Sequence, residues 1–215
     1  MTVKILGICG SPIEAGNTET ILNVALKAAA ELPDVETRFF TIAHKKFNGC
    51  IHCNWCVEKQ GDNPEDKYCS QQDDLTPLYN DLVEADGILL ATPVYFRSCS
   101  WQMAAIFSRQ RCFITGKLYR NNPVMHRKIF GGISVAWMRN AGQEGALLAI
   151  HQFGSTLGLI EAGSVAAVSS LEGSGRRDRD KPGDKLLVLR DEKAIEATRS
   201  LGKKVAEICK KLKTK

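Results

Sequence analysis

Val3-Lys4-Ile5-Leu6-Gly7-Ile8-Cys9 runs directly into Gly10-Ser11-Pro12-Ile13-Glu14-Ala15-Gly16-Asn17-Thr18. The apolar run stops at a Gly-Ser-Pro turn and reads as a buried strand. Beyond the turn, Ile21, Leu22, Ala25, Leu26 and Ala29 recur at helical spacing, and Pro33 closes the pattern. The spacing predicts a helix over 18–32. A strand that empties into a polar, glycine-marked loop and then a helix is the first unit of an α/β architecture.

The unit repeats along the chain. Residues 35–42, 87–92, 128–136 and 159–168 read as four further strands. Helices are predicted from about 73–76, with Pro77 in the first turn, to just before Asp86, and over 98–112, 142–157 and 191–212. Alternation of this kind predicts a parallel sheet with helices on both faces. Ligands of such sheets bind beyond the carboxyl ends of the strands, where the strand order reverses. Segments 10–18, 93–98 and 137–144 fall at those ends and are expected to meet on one rim.

At 215 residues the chain is long enough for one domain with a full core. Its 44% hydrophobic and 25% charged content is ordinary for a globular protein. No apolar run approaches the length of a membrane span, and residues 1–12 lack the pattern of a signal peptide. A cytoplasmic, reducing setting is expected, with no membrane partner. The net charge of +5 is dispersed: Lys203, Lys204, Lys210, Lys211, Lys213 and Lys215 crowd the last helix and tail, where they complement the helix dipole. Arg176, Arg177 and Arg179 alternate with Asp178 and Asp180. Neither group forms a phosphate-binding patch, so no nucleic-acid partner is expected.

Cys50, Cys53, Cys56 and Cys69 follow the spacing C-x2-C-x2-C-x12-C. Three thiols so close together match the cysteine run of bacterial-type iron–sulfur proteins. A structural zinc site, which usually presents two separated ligand pairs, fits less well, and redox-active or uncoordinated thiols are the third reading. The long gap is no obstacle: twelve residues span about 40 Å when extended. Lengthening the loop from about five residues costs roughly 0.8 kcal/mol of closure entropy. Cys9, Cys99, Cys112 and Cys209 fall in strand or helix patterns as core residues. His52 lies inside the run, in a role beside the ligands rather than among them. His44, His126 and His151 are isolated, and no Ser-His-Asp or paired-carboxylate set stands out.

The 10–18 loop offers Ser11, Gly16, Asn17 and Thr18, backbone N–H groups and a helix amino terminus, which suit a phosphate monoester without a basic residue. It has neither the G-K-[ST] end of a nucleotide P-loop nor the G-x-G-x-x-G fingerprint. The lesser reading of this loop taken alone is a turn capped by Asn17 or Thr18. Thr92-Pro93-Val94-Tyr95-Phe96-Arg97-Ser98 supplies a rigid, partly apolar wall of the kind a flat heteroaromatic ring needs. Trp137-Met138-Arg139-Asn140-Ala141-Gly142-Gln143-Glu144 opens the following helix, and alone it reads equally as a ligand loop or as a glycine turn with polar capping.

Together, Gly10-Ser11-Pro12 with Gly16-Asn17-Thr18, Thr92 to Phe96, and Arg139-Asn140 with Gly142-Gln143-Glu144 resemble the flavodoxin-like NAD(P)H-dependent FMN reductases. With the four cysteines added, the chain resembles the iron–sulfur flavoprotein branch of that family. The resemblance implies a single doubly wound domain over 1–215. Its five parallel strands are in the order 2-1-3-4-5, and a cysteine-rich loop over 47–72 is inserted after strand 2. It implies FMN bound by Ser11, Pro12, Gly16, Asn17, Thr18, Thr92, Pro93, Val94, Tyr95, Phe96, Arg139, Asn140, Gln143 and Glu144. It also implies a [4Fe–4S] cluster on Cys50, Cys53, Cys56 and Cys69. Family members assemble as homodimers or homotetramers, with one subunit's cluster near a neighbour's flavin. Arg97 stands where the family has a small residue, and is read either as crowding one flavin face or as stabilising an anion there.

The activity expected is a flavin-dependent oxidoreductase in which electrons pass between cluster and FMN, with NAD(P)H or ferredoxin as donor. The reactive centre is flavin N5, so no side chain is expected to act as a catalytic acid or base. Two other readings stand beside it: an FMN or quinone reductase with a zinc-braced or uncoordinated cysteine loop, and a non-enzymatic electron carrier of flavodoxin type.

Overall fold

The structure is a computed structural model that describes residues 2–63, 68–175 and 185–213. The alternating basic loop at 176–180, part of the excursion before Cys69, and Lys215 lie outside the described residues.

Five strands form one sheet: β1 (Val3–Cys9), β2 (Val35–Thr41), β3 (Gly87–Pro93), β4 (Ile129–Ala136) and β5 (Ile160–Val168). All neighbours are parallel and the order is β2-β1-β3-β4-β5, as the resemblance implies. The reversal of strand order therefore falls between β1 and β3, beyond the paired Cys9 and Ala91.

The period of two in the strands sorts their side chains to opposite faces. Ile5, Cys9, Leu89, Ala91, Ile129 and Ile133 pack under α1 (Asn17–Ala30) and the last helix, which runs Glu192–Lys213. Leu6, Ile8, Ile88, Leu90 and Phe130 face the other way, into the core with the chain between β2 and β3, α4 (Trp101–Arg109) and α6 (Gln143–Thr156). That same face carries the cysteine loop. It contains α2 (Trp55–Glu58) and leads to α3 (Thr76–Glu84), with Pro77 in the first turn.

The differences from the expected boundaries have local causes. The helix expected over 98–112 begins at Trp101, because the buried Ser100 hydroxyl accepts the Met103 N–H and caps it there. It breaks at Gln110 and resumes as α5 (Arg111–Ile114). At four residues, α2 is too short to leave a helical period in the sequence. The long closing helix is α7, and no helix among the described residues is long and apolar enough to cross a membrane.

Candidate functional site

A cavity of about 490 Å³ opens beyond the carboxyl ends of β1, β3 and β4. That volume lies within the ~300–1,000 Å³ range of small-molecule and cofactor sites. Ser11, Gly16, Asn17 and Thr18 line it from one side, and Pro93, Val94 and Tyr95 from another. Helix α1 starts after Gly16 with no side chain capping it, so its first N–H groups carry the positive end of the dipole toward this cavity. Ser11 is buried, and its Oγ accepts the Ile13 N–H at 3.1 Å, which fixes the turn. Asn17 acts at a distance in sequence: its Nδ2 donates to the Lys185 carbonyl at 2.9 Å and its Oδ1 accepts from Val188 N at 3.0 Å.

The remaining expected residues do not line the cavity. Thr92 is fully buried and its Oγ1 accepts from the Ser100 N–H. Phe96 is fully exposed at the tip of a tight turn closed by the Tyr95–Ser98 backbone pair, with Phe96 and Arg97 both at positive φ. Two left-handed central residues are the mark of a type I′ turn, and non-glycine residues adopt it only under local constraint. The constraint is the next loop. A Cβ on Gly142 would come within 2.5 Å of the Arg97 Cα, and one on Gly145 would collide with the Arg97 carbonyl oxygen. The Arg97 side chain is exposed and is not part of the cavity wall.

Gln143 braces the third loop rather than facing the cavity. It is buried, accepts from Ala141 N and donates to the Met138 carbonyl, both at 2.8 Å. Arg139 turns toward the buried Asp191 at 3.6 Å, while its N–H donates to Gly173. Asn140 and Glu144 are exposed. Trp137, from the same loop, does reach the cavity, and its Nε1 donates to the Gly175 carbonyl at 2.9 Å. Lys185, Leu186 and Ser169 also line the cavity. Their sequence neighbourhood carries no motif. They arrive because β5 ends beside β4 and because Asn17 holds the 185–188 stretch against α1.

A second pocket lies on the face bearing the cysteine loop. Cys50, Cys53, Cys56 and Cys69 all line it, with Arg109, Arg111 and Cys112. His52 and Asn54 take positive φ, and the His52 N–H donates to Cys50 Sγ at 3.4 Å. Cys53 is lowered from the ordinary thiol range by a hydrogen bond with the Ser70 hydroxyl, then by the Trp55 N–H, with Arg111 adding. Burial pushes the Cys56 thiol up, with Arg111 opposing.

Among the described residues no group of three or more His, Cys, Asp or Glu side chains is placed to hold a metal ion. The donors themselves are thiols: five cysteines and no carboxylate line the pocket. Cys50, Cys53, Cys56 and Cys69 among them make the four-thiolate set of an iron–sulfur cluster, which is also that of a structural zinc site.

Arg109, which no sequence motif singles out, organises the second pocket. Its side chain is 0% exposed and pairs with Asp73 at 2.7 Å. Its other N–H groups donate to the Asn48 and Gln71 carbonyls and to the Tyr79 hydroxyl. Asn48 precedes Cys50 by two residues and Gln71 follows Cys69 by two, so one guanidinium holds both ends of the loop. The Cys50 N–H donates to Ser108 Oγ on the same helix at 3.0 Å. Helix α4, about 13 Å long, thus spans the two sites. Its cap, Ser100, is bonded to the first loop, and its last residue, Arg109, is bonded to the cysteine loop.

The profile of the family described as NADPH-dependent FMN reductase matches residues 3–172. An iron–sulfur flavoprotein of Methanocaldococcus jannaschii is 37% identical over 211 residues, covering 98% of this chain and 100% of that protein. An iron–sulfur flavoprotein of Methanosarcina thermophila is 32% identical, covering 75% of this chain and 78% of that one. Among solved structures, RosB with a bound 8-demethyl-8-formylriboflavin-5′-phosphate superposes with a TM-score of 0.74 at 14% identity, over 99% of this chain and 81% of RosB. The apo form of an NADH:FMN oxidoreductase gives 0.56 at 16% identity, over 93% and 89%. At such identities the structural likeness speaks for the fold alone.

Proposed function

The chain belongs to the iron–sulfur flavoprotein branch of the NADPH-dependent FMN reductase family and is a flavin-dependent oxidoreductase, and from that membership we propose that it passes electrons between FMN and a [4Fe–4S] cluster. The observation that supports the relay is the presence of two pockets at the two ends of α4, one lined by Ser11, Thr18 and Tyr95, the other by the four cysteines. FMN, when bound, supplies an acceptor of two electrons or one, and a [4Fe–4S] cluster supplies a one-electron site.

The chain's own residues bind and orient. The uncapped start of α1, with Ser11 and Thr18, attracts the phosphate through dipole and hydrogen bonds, and Lys185 adds a cation on the same wall. Pro93, Val94, Tyr95 and Trp137 form the apolar side that receives the flavin ring and keeps water from it. Arg139 and Gln143 hold the third loop in place, and the chemistry requires no general acid or base from them. Cys50, Cys53, Cys56 and Cys69 ligate the cluster, and the Arg109 clamp brings Cys69 to the other three across the long gap.

NAD(P)H or ferredoxin is the electron donor in this proposal, and the protein works as a cytoplasmic homodimer or homotetramer. The test is NAD(P)H oxidation by the FMN-loaded protein with an artificial acceptor, alongside FMN titration of flavin-free protein. Saturable one-to-one flavin binding with turnover is expected. A protein that takes up no flavin would refute the reading.

A further inference from the structure

Two arginines border the cysteine pocket, and their charges are used differently. The charge of Arg109 is cancelled by Asp73 at 2.7 Å, and its remaining donors go to Tyr79, Asn48 and Gln71. Arg111, on α5, donates from Nη2 to Asn54 Oδ1 at 2.9 Å. Among the described residues no carboxylate pairs with it within 4 Å. Of Arg109, Asp73 and Arg111, the one uncompensated charge is therefore positive and sits at Arg111.

Asn54 lies between Cys53 and Cys56, so its bond to Arg111 anchors the guanidinium against the cysteine run itself. Asn54 is also left-handed, at φ 58°, and immediately precedes the short helix that carries Cys56. The cation is fixed in place by the element that presents the ligands.

We propose that Arg111 is the redox-tuning residue of the cysteine pocket: its guanidinium, held by Asn54, stabilises the electron-rich form of the cluster bound by Cys50, Cys53, Cys56 and Cys69 and so raises its potential. This rests on the cluster reading above. One-electron reduction of a thiolate-bound cluster adds one negative charge with no accompanying proton. A fixed cation beside a partly desolvated pocket favours that more negative state, and net charge is among the quantities that set such potentials. Arg111 touches no substrate in this role and acts only through the field it places on the cluster.

The test uses anaerobically purified holoprotein, with Arg111→Gln and Arg111→Lys beside it. Iron, acid-labile sulfide and flavin are assayed, and the cluster is titrated with dithionite through mediators. Arg111→Gln is expected to keep wild-type iron and sulfide while its midpoint falls by a tenfold change in the reduced-to-oxidised ratio, about 59 mV for a one-electron couple. Arg111→Lys, which keeps the charge, is expected to restore most of that loss, and the flavin potential in the same titration is expected to stay put.

An unmoved midpoint in fully loaded Arg111→Gln overturns the proposal, and so does an equal fall in Arg111→Lys. If Arg111→Gln fails to load, Asn54→Gly releases the guanidinium without straining the left-handed turn. A lower midpoint there supports the proposal, and an unchanged one overturns it. Wild-type protein without sulfide is a distinct result, because it overturns the cluster reading itself before any variant is made.

Discussion

The buried Ser100 hydroxyl donates to the Gly10 carbonyl oxygen at 2.6 Å, joining the loop after β1 to the start of α4. The Ser100 Oγ also accepts the Met103 N–H at 3.1 Å, and the Ser100 N–H donates to Thr92 Oγ1 at 3.1 Å. One residue thereby ties the ends of β1 and β3, across which the strand order reverses, to the helix that leads to the cysteine loop: its hydroxyl reaches the first and its backbone N–H the second.

Ser100→Ala removes a helix cap and leaves the Gly10 carbonyl without its donor. The two losses together cost about 2 kcal/mol. At this chain length the melting temperature falls by roughly 4–8 °C, and FMN binds more weakly because the first loop is no longer held. Thermal melts and flavin fluorescence titration check both; unchanged flavin affinity would place the brace outside the site.

Gly145→Ala inverts the usual rule. Within a helix such as α6, alanine is favoured over glycine by about 1 kcal/mol. Here the new methyl would strike the Arg97 carbonyl oxygen, so the 95–98 turn must move. A lower melting temperature and reduced FMN loading are expected, where a simple helix-propensity argument expects a gain in stability.

Arg109→Gln leaves Asp73, Tyr79 and two loop carbonyls without their common donor. Breaking a buried ion pair on one side costs about 3–5 kcal/mol, so the melting temperature is expected to fall by about 10 °C. Amide exchange should rise in peptides flanking both Asn48 and Gln71. A rise on one side only would mean that Arg109 is not a clamp.

In cluster-free protein, thiol alkylation should be ordered by environment. The lowered pKa of Cys53 gives it more thiolate at a given pH than Cys56, whose burial pushes its pKa up. Iodoacetamide at neutral pH is expected to label Cys53 first. Burial pushes Cys9 and Cys209 up to about 12, and both should stay unlabelled until the chain unfolds. Ser70→Ala, which removes the largest cause at Cys53, should shrink its lead. Peptide mass spectrometry over a pH series reads all of these.

Much of this was legible because it is local. The apolar runs of 3–9 and 87–92, the helical spacing after Thr18 and the breaks at Gly10 and Pro33 define the strand–helix units without tertiary information. Loops at strand ends follow from the topology, so Ser11, Gly16, Thr18 and Pro93 to Tyr95 were findable as a group. Arg109 and Lys185 were not, since one is recruited by contacts 30–61 residues away and the other by Asn17 from 168 residues away. Gln143 and Arg139 sit in the expected loop but brace it, a distinction that depends on where their side chains turn and not on spacing.

Anaerobic purification followed by metal, acid-labile sulfide and flavin analysis decides whether one chain holds both a flavin and an iron–sulfur cluster. About four iron and four sulfide per chain are expected together with FMN, with loss of iron and sulfide in Cys69→Ser. Zinc without sulfide, or protein that binds no flavin, would contradict that expectation.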